Sequence, residues 1–246
     1  MNNISYRKIL IFVLWLIIWQ FSAMLINKPY LFASVSETVK KLLELAASKQ
    51  SYQIILHSLL FTAGGFLSAL IVGITVAVIA YKHKIVEEFL QPLLSIMKSV
   101  PVASFIIIML VWFGSRPLAV IVSFIIVFPL IYFSVLNGLK NTDKEMLEMA
   151  RIYHMSLSNK VLYVYRLAVA PYLYVACQSA SSMAWKSAIA AEVIGATNNS
   201  IGEQLYYSKI YLDSASLFAW TFVIIIISAI SEKVVLLVVK KLGGKY

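Results

Sequence analysis

The sequence predicts an all-α integral membrane protein with about six transmembrane helices. Of its 246 residues, 61% are hydrophobic and 13% are charged, whereas an ordinary soluble domain is about 25% charged. The mean hydropathy is +0.86. The apolar residues also fall into six runs, each close to the roughly 20 residues that a helix needs to cross a bilayer. The length suits one membrane domain and leaves no room for a separate soluble domain.

The predicted spans are residues 9–26, 55–80, 89–114, 118–137, 168–195 and 216–239. Each is expected to be helical because hydrocarbon offers no water to unpaired backbone amides. The first run follows Arg7 and Lys8, as the apolar part of a signal peptide would. It is longer than the about 7–15 residues of such a region and no clear small-residue cleavage site follows, which favours a retained span.

Two further patterns belong to the first half of the chain. The stretch SVSETVKKLLELA (34–46) predicts a short amphipathic helix between the first two spans, with one apolar face formed by Val39, Leu42, Leu43 and Ala46. In the second span, Gly64, Gly65 and Gly73 predict close approach of neighbouring helices.

Basic residues predict the orientation. Segments on the side of the N-terminus hold twelve lysines and arginines, including Lys245, and the opposite segments hold six. The positive-inside rule therefore places both termini in the cytoplasm. The net charge of +10 is explained by these short basic loops, so we assign no nucleic-acid partner. The single cysteine, Cys177, lies in an apolar span, and no metal-ligand spacing is present.

A polar segment, Asn141 to Arg166, interrupts the spans and predicts a helix, a turn and a second helix on the cytoplasmic side. Thr142 and Glu145 have the spacing of a capping box. The first helix is expected to break at His154–Met155, and Ser156 to cap the second one. Pro171 is expected in the first turn of the next span. The shared face of the first helix comprises Met146, Met149, Ala150 and Tyr153.

This segment resembles the EAA loop of ABC importer permeases, here about residues 138–167, and in particular the nitrate/sulfonate/taurine-type family. Glu148, Met149 and Ala150 stand at the triplet that names the loop, followed by Arg151. Two positions depart from the family pattern, since its glycine is His154 here and its first proline is Leu167.

Four other stretches resemble that family in the same order, so the resemblance covers residues 34–246 and leaves residues 1–33 as a first helix and the start of an outer loop. They are HSLLFTAGGFLSALIVGI (57–74), QPLLSIMKSVPVASFIIIMLVWFG (91–114), FPLIYFSVLNGLKN (128–141) and MAWKSAIAAEVIGA (183–196).

The resemblance implies a type I importer permease in the cytoplasmic membrane, working by alternating access as a homodimer. A separate ABC ATPase subunit would bind ATP and magnesium, and an extracytoplasmic binding protein or lipoprotein would deliver a solute such as a sulfonate, nitrate, taurine or a vitamin precursor. This chain itself would need no cofactor. The residues expected at the ATPase groove are Glu148, Met149, Ala150, Arg151, His154 and Ser156. The alternative for the apolar members of the loop is packing against the protein's own underside.

Polar side chains inside the spans are candidates for a translocation path, because an unpaired charge in hydrocarbon is costly. They are Lys186, Ser182, Trp185, Glu192 and Lys98. Two alternatives stay open: Lys98 snorkels or pairs with a carboxylate such as Glu232, and Lys186 pairs across helices with Glu192.

Pro101, Pro129 and Pro171 are candidate hinges or plain kinks. A stand-alone secondary transporter or channel is the second functional interpretation, and a membrane enzyme the third. The sequence contains no candidate catalytic set and no internal repeat that would favour either.

Overall fold

The computed structural model describes residues 2–243, and Lys245 of the charge count lies outside them. Within this range the chain is helical throughout its regular structure. The elements are α1 (Asn2–Ile26), α2 (Val35–Ala47), α3 (Lys49–Lys82), α4 (Lys84–Ser99), α5 (Val102–Phe113), α6 (Leu118–Lys140), α7 (Lys144–Ile152), α8 (Leu157–Lys160), a π-helical segment (Val161–Tyr165), α9 (Arg166–Gly195), α10 (Ile201–Ile210) and α11 (Ser214–Gly243).

The centre of the molecule is the contact of α6 with α3 on one side and α9 on the other. α3 and α6 approach each other closely at two glycines of α3, Gly65 and Gly73, as predicted. A Cβ at Gly65 would lie 1.8 Å from Ser123 Oγ, and one at Gly73 would lie 3.0 Å from Ile131 Cγ2. The prediction for Gly64 is wrong, because nothing lies within 4 Å of a Cβ built there. Gly65 lies on the face of α3 that contacts α6, whereas the adjacent Gly64 lies on another face.

α1 and α2 lie at the edge of this bundle. Trp19 of α1 stacks on Phe222 of α11 at 5.7 Å, while most other apolar side chains of α1 are exposed, as on a helix surrounded by lipid. α2 begins at a capping box between Ser34 and Glu37. The apolar face predicted for α2 does not pack as one surface against the bundle.

On α2, Thr38 is the buried residue, while Val39 and Leu43 face a groove beside α1. The helix therefore divides its apolar side chains between the bundle and α1.

The third predicted span, 89–114, is not one helix. α4 and α5 meet at an angle of 104° on either side of Val100 and Pro101. α4 is amphipathic: Leu94 is fully buried, whereas Ile85 and Phe89 are exposed. Proline removes a backbone donor and clashes with the preceding turn, which accounts for the break being sharper than the predicted kink.

Among residues 2–243, four helices are long and apolar enough to cross a membrane, namely α1, α3, α6 and α11. The bent pair of α4 and α5 gives a fifth candidate if it is counted as one span. The fifth predicted span, 168–195, corresponds to α9, which has 30 residues but carries Gln178, Ser182 and Lys186. Because α9 packs on α6 along much of its length, it does not need the hydropathy of a lipid-exposed helix.

Candidate functional site

The candidate site is the polar loop between α6 and α9. α6 ends at Asn141, and Thr142 is buried with its hydroxyl donating to Gly138 O at 3.3 Å. The predicted capping box is therefore wrong: Asp143 is the N-cap of α7, and its Oδ1 accepts from Glu145 N at 2.9 Å. Thr142 bonds back into the last turn of α6 instead, which leaves the next residue to cap α7.

α7 turns one small residue inward and its charged residues outward. Ala150 is completely buried, whereas Glu148, Met149 and Arg151 are exposed. Contact of Ala150 with the ATPase groove stays a prediction, and this burial does not favour it. The neighbours of Ala150 on α7 carry the exposed surface.

The turn after α7 is a Schellman motif, which satisfies the last carbonyls of the helix. Met155 N donates to Ala150 O at 3.0 Å and His154 N donates to Arg151 O at 3.1 Å. His154 itself has φ +45°, the left-handed conformation for which glycine is preferred. The predicted break at His154–Met155 is confirmed, and His154 adopts a conformation that suits the glycine of the family pattern.

The polar loop also exposes large apolar side chains. Ile152, Tyr153 and Leu157 are 73%, 76% and 71% exposed, on either side of the turn formed by His154, Met155 and Ser156. Sequence analysis missed Ile152, placed Tyr153 on the shared face of the first helix, and gave packing as the alternative for it. The available signal was spacing, because Ile152 lies four residues after Glu148 and shares its face.

The second helix of the loop is continuous with the next spanning helix. Ser156 caps α8 as predicted, its Oγ accepting from Asn159 N at 3.4 Å. The helix then passes through the π-helical segment and into α9 without a non-helical residue. Pro171 consequently lies inside α9 and not in a first turn, which corrects its predicted position. π-helical turns inside long helices are frequent at functional sites.

α9 carries the path candidates. Gln178, Ser182 and Lys186 recur every four residues on one face, and Gln178 and Lys186 are exposed while Ser182 is partly so. Trp185 and Glu192 are buried, at 3% and 0% exposure. Neither side chain is exposed to a path in the single chain, and the path role of these two stays a prediction.

Glu192 is enclosed by specific partners. Its Oε2 accepts from Ser58 Oγ at 2.9 Å and from Gly202 N at 3.0 Å, and the same serine oxygen accepts from Ile201 N at 2.9 Å. A Cβ on Gly202 would lie 2.2 Å from Glu192 Cβ. The carboxyl group thus joins α9, α3 and the first turn of α10, and it is not a partner of Lys186.

Lys98 lies on α4 with its Nζ 4.5 Å from the centre of the Phe133 ring of α6. Lys98 thus makes a cation–π contact. It does not pair with Glu232, which was one of the alternatives. Pro129 lies within α6 and Pro101 precedes α5; a hinge role for these prolines stays a prediction.

Comparison with known proteins assigns a family to this architecture. Residues 69–244, more than half of the chain, match the family described as binding-protein-dependent transport system inner membrane component. A formylaminopyrimidine transport permease protein of Halalkalibacterium halodurans is 28% identical over 212 residues, covering 83% of this chain and 82% of that protein.

Two other relatives are named for different solutes. An aliphatic sulfonates transport permease protein of Bacillus subtilis is 22% identical over 201 residues, covering 81% of this chain and 72% of that protein. A bicarbonate transport system permease protein of Synechococcus elongatus is 28% identical over 138 residues, covering 56% and 50%. The multi-pass helical architecture and these matches agree, and the chain belongs to the family of binding-protein-dependent transport permeases of the inner membrane.

Proposed function

We propose that this permease is the membrane subunit of an ATP-driven importer and that the turn between α7 and α8 docks into a groove of a separate ATPase subunit. ATP and magnesium would bind that subunit. The proposal places the turn and both termini in the cytoplasm, as the distribution of basic residues favours. The observation that carries it is the exposure of Ile152, Tyr153 and Leu157 beside Glu148 and Arg151.

Large apolar side chains clustered on an otherwise polar surface are typical of a protein–protein contact. Exposed tyrosine and arginine are also the residue types enriched in the energetically dominant part of such contacts. In this loop, the two types are combined at Arg151 and Tyr153 on a capped turn whose backbone is fixed by hydrogen bonds. A fixed turn loses little entropy on binding, which favours docking.

The loop is also built to transmit movement. α8 continues through the π-helical segment into α9, so a displacement of the turn moves the helix that carries Lys186. On the other side of the loop, Gly138 of α6 packs against α9, where a Cβ would lie 2.9 Å from Val169 Cα. Closure of two ATPase subunits on ATP would thus pull the docked turns together and reorient α9, changing access to the path.

The polar face of α9 supports a pore formed by two copies of this chain. Gln178, Ser182 and Lys186 are open to the outside of the single copy, and such groups in contact with lipid would be costly. A second copy facing them would enclose a polar path. An exposed lysine there suits a small anion or a polar heterocycle, the solute classes named for the sulfonate, bicarbonate and formylaminopyrimidine relatives. An extracytoplasmic binding protein would present the solute.

The docking proposal is tested by co-purification of the permease with its ATPase. Arg151→Glu combined with Tyr153→Asp changes exposed residues only, and we expect the ATPase to be lost from the purified complex. Lys82→Glu reverses an exposed charge on the same proposed side and should leave the complex intact. Full association of the double variant would refute docking at this turn.

The path proposal is tested by solute uptake. Lys186→Met should reduce uptake while the complex still assembles, whereas Lys209→Met, in the last turn of α10, should leave uptake unchanged. Normal uptake by the Lys186→Met permease would remove this lysine from the path.

A further inference from the structure

An apolar groove of about 830 Å³ lies between α3, α9 and α11. Its walls include Leu67 and Ile74 of α3, Leu173 of α9, and Val234 and Val238 of α11. Its volume is within the range of about 300–1,000 Å³ that is usual for binding pockets of small molecules. Along α3 it extends from Leu59 to Ile74, or about 22 Å at 1.5 Å per residue. This length exceeds one leaflet's half of the roughly 30 Å hydrocarbon layer.

The groove has a cationic end. Arg166 is the one charged residue among the lining residues, and it begins α9. The Tyr81 ring at the end of α3 packs on Tyr165, and Val239 of α11 belongs to the same core cluster as Tyr165 and Ile74. Ile74 and Val239 therefore lie at the Arg166 end of the groove. Lys240 and Lys241 follow Val239 directly and are exposed. Within residues 2–243 the ion pairs are made by Lys41, Lys84 and Lys140, which leaves the Arg166 guanidinium without a carboxylate.

The side chains that line the groove indicate whether its occupant is a flexible lipid chain or a packed helix. Where helices of this protein approach one another closely, glycines such as Gly65 and Gly138 form the contact, as is usual for helix packing in membranes. The outer part of the groove is instead lined by branched side chains, including Leu60, Leu67 and Val234, all of them more than half exposed. An exposed trough of branched side chains fits an acyl chain.

We propose that this groove binds one anionic phospholipid, with an acyl chain between α3 and α11 and its phosphate at Arg166. A guanidinium donates two parallel hydrogen bonds to phosphate oxygens, and Lys240 and Lys241 add positive charge at the same end. The lipid would fill the space beside α9 and so contact the helix that carries Trp185. The proposal requires only that the chain spans a membrane and is independent of the docking proposed for α7 and α8.

The test is native mass spectrometry of the purified permease after equilibration in vesicles that contain phosphatidylglycerol and phosphatidylcholine in equal amounts. We expect the wild-type protein to retain phosphatidylglycerol in excess. Arg166→Gln should lower that excess about tenfold, the change expected for the loss of about 1.4 kcal/mol from one charge-assisted contact. Arg116→Gln is the matched control, because Arg116 is an exposed arginine in the short loop before α6 and does not line the groove.

A second variant tests the acyl-chain groove separately from the charge of Arg166. Val234→Trp places a large ring in the groove and should remove bound phosphatidylglycerol even with Arg166 present. Equal retention of phosphatidylglycerol by wild type, Arg166→Gln and Val234→Trp would overturn the proposal. A disulfide between two copies of a Leu67→Cys permease would also overturn it, because a protein face would then cover the groove.

Discussion

The carboxyl group of Glu192 allows a quantitative prediction about stability. In the wild type, Ser58 Oγ and Gly202 N donate to Glu192 Oε2 at 2.9 and 3.0 Å. Changing Glu192 to Ala leaves both donors without their buried acceptor. Each unsatisfied buried donor costs about 1–3 kcal/mol, and the space vacated by the side chain adds a further cost. Together these give about 3–5 kcal/mol. Glu192→Gln keeps an acceptor oxygen at the same place and should cost about 1 kcal/mol.

The assay is thermal unfolding of the purified permease in lipid nanodiscs. In a chain of this size each kcal/mol lowers Tm by about 2–4 °C, so Glu192→Ala should melt about 6–20 °C below the wild type. Ser187→Ala is the control, because this buried hydroxyl donates only to Ala184 O of its own helix. An unchanged Tm for Glu192→Ala, or equal losses for the Ala and Gln variants, would refute the assigned role.

Three further predictions concern the turn, the packing and the pH response. His154→Gly should relieve about 1 kcal/mol of left-handed strain and slow hydrogen exchange at the Met155 amide, whereas His154→Val should accelerate it; identical exchange in both would contradict the strain. Gly138→Ala should cost about 1–3 kcal/mol through overpacking against α9, while Gly64→Ala, with open space around it, should be neutral or stabilising in the same unfolding assay. Burial alone would raise the pKa of Asp213, but hydrogen bonds from Ser216 and the charge of Lys41 outweigh it and hold the pKa below the usual 3.8. The stability that Asp213 contributes is therefore present above about pH 4 and lost below it, and an Asp213→Asn permease should lack this part of the acid sensitivity.

The fold class and the loop were accessible to sequence analysis because their signals are local. Apolar runs of near-spanning length predict helices wherever they occur, and the family-like pattern around Glu148 identifies the loop. The left-handed conformation of His154 agrees with its place in the resembled family pattern, where the residue is glycine, since glycine favours such a backbone. The cap was missed because Thr142 and Asp143 are adjacent residues that can both cap a helix, and only the end of α6 decides between them.

The remaining errors concern contacts between distant parts of the chain. Ser58 and Glu192 are separated by 134 positions, so no local pattern shows that this carboxylate is enclosed. The burial of Ala150 was not predicted either, because a helix of nine residues shows too little periodicity to identify one enclosed position. The sharp bend at Pro101 was predicted only as a kink, because hydropathy is continuous across α4 and α5.

The most direct test of the account is photocross-linking from two tyrosines of equal exposure. Tyr153 in the proposed docking turn is 76% exposed and Tyr211 after α10 is 75% exposed, and the orientation proposed above places them on opposite sides of the membrane. With a photoreactive phenylalanine analogue at each position, in membranes containing the whole transporter, position 153 is predicted to cross-link to the ATPase subunit and position 211 is not. A cross-link to the ATPase from position 211, or none from position 153, would contradict the central claim.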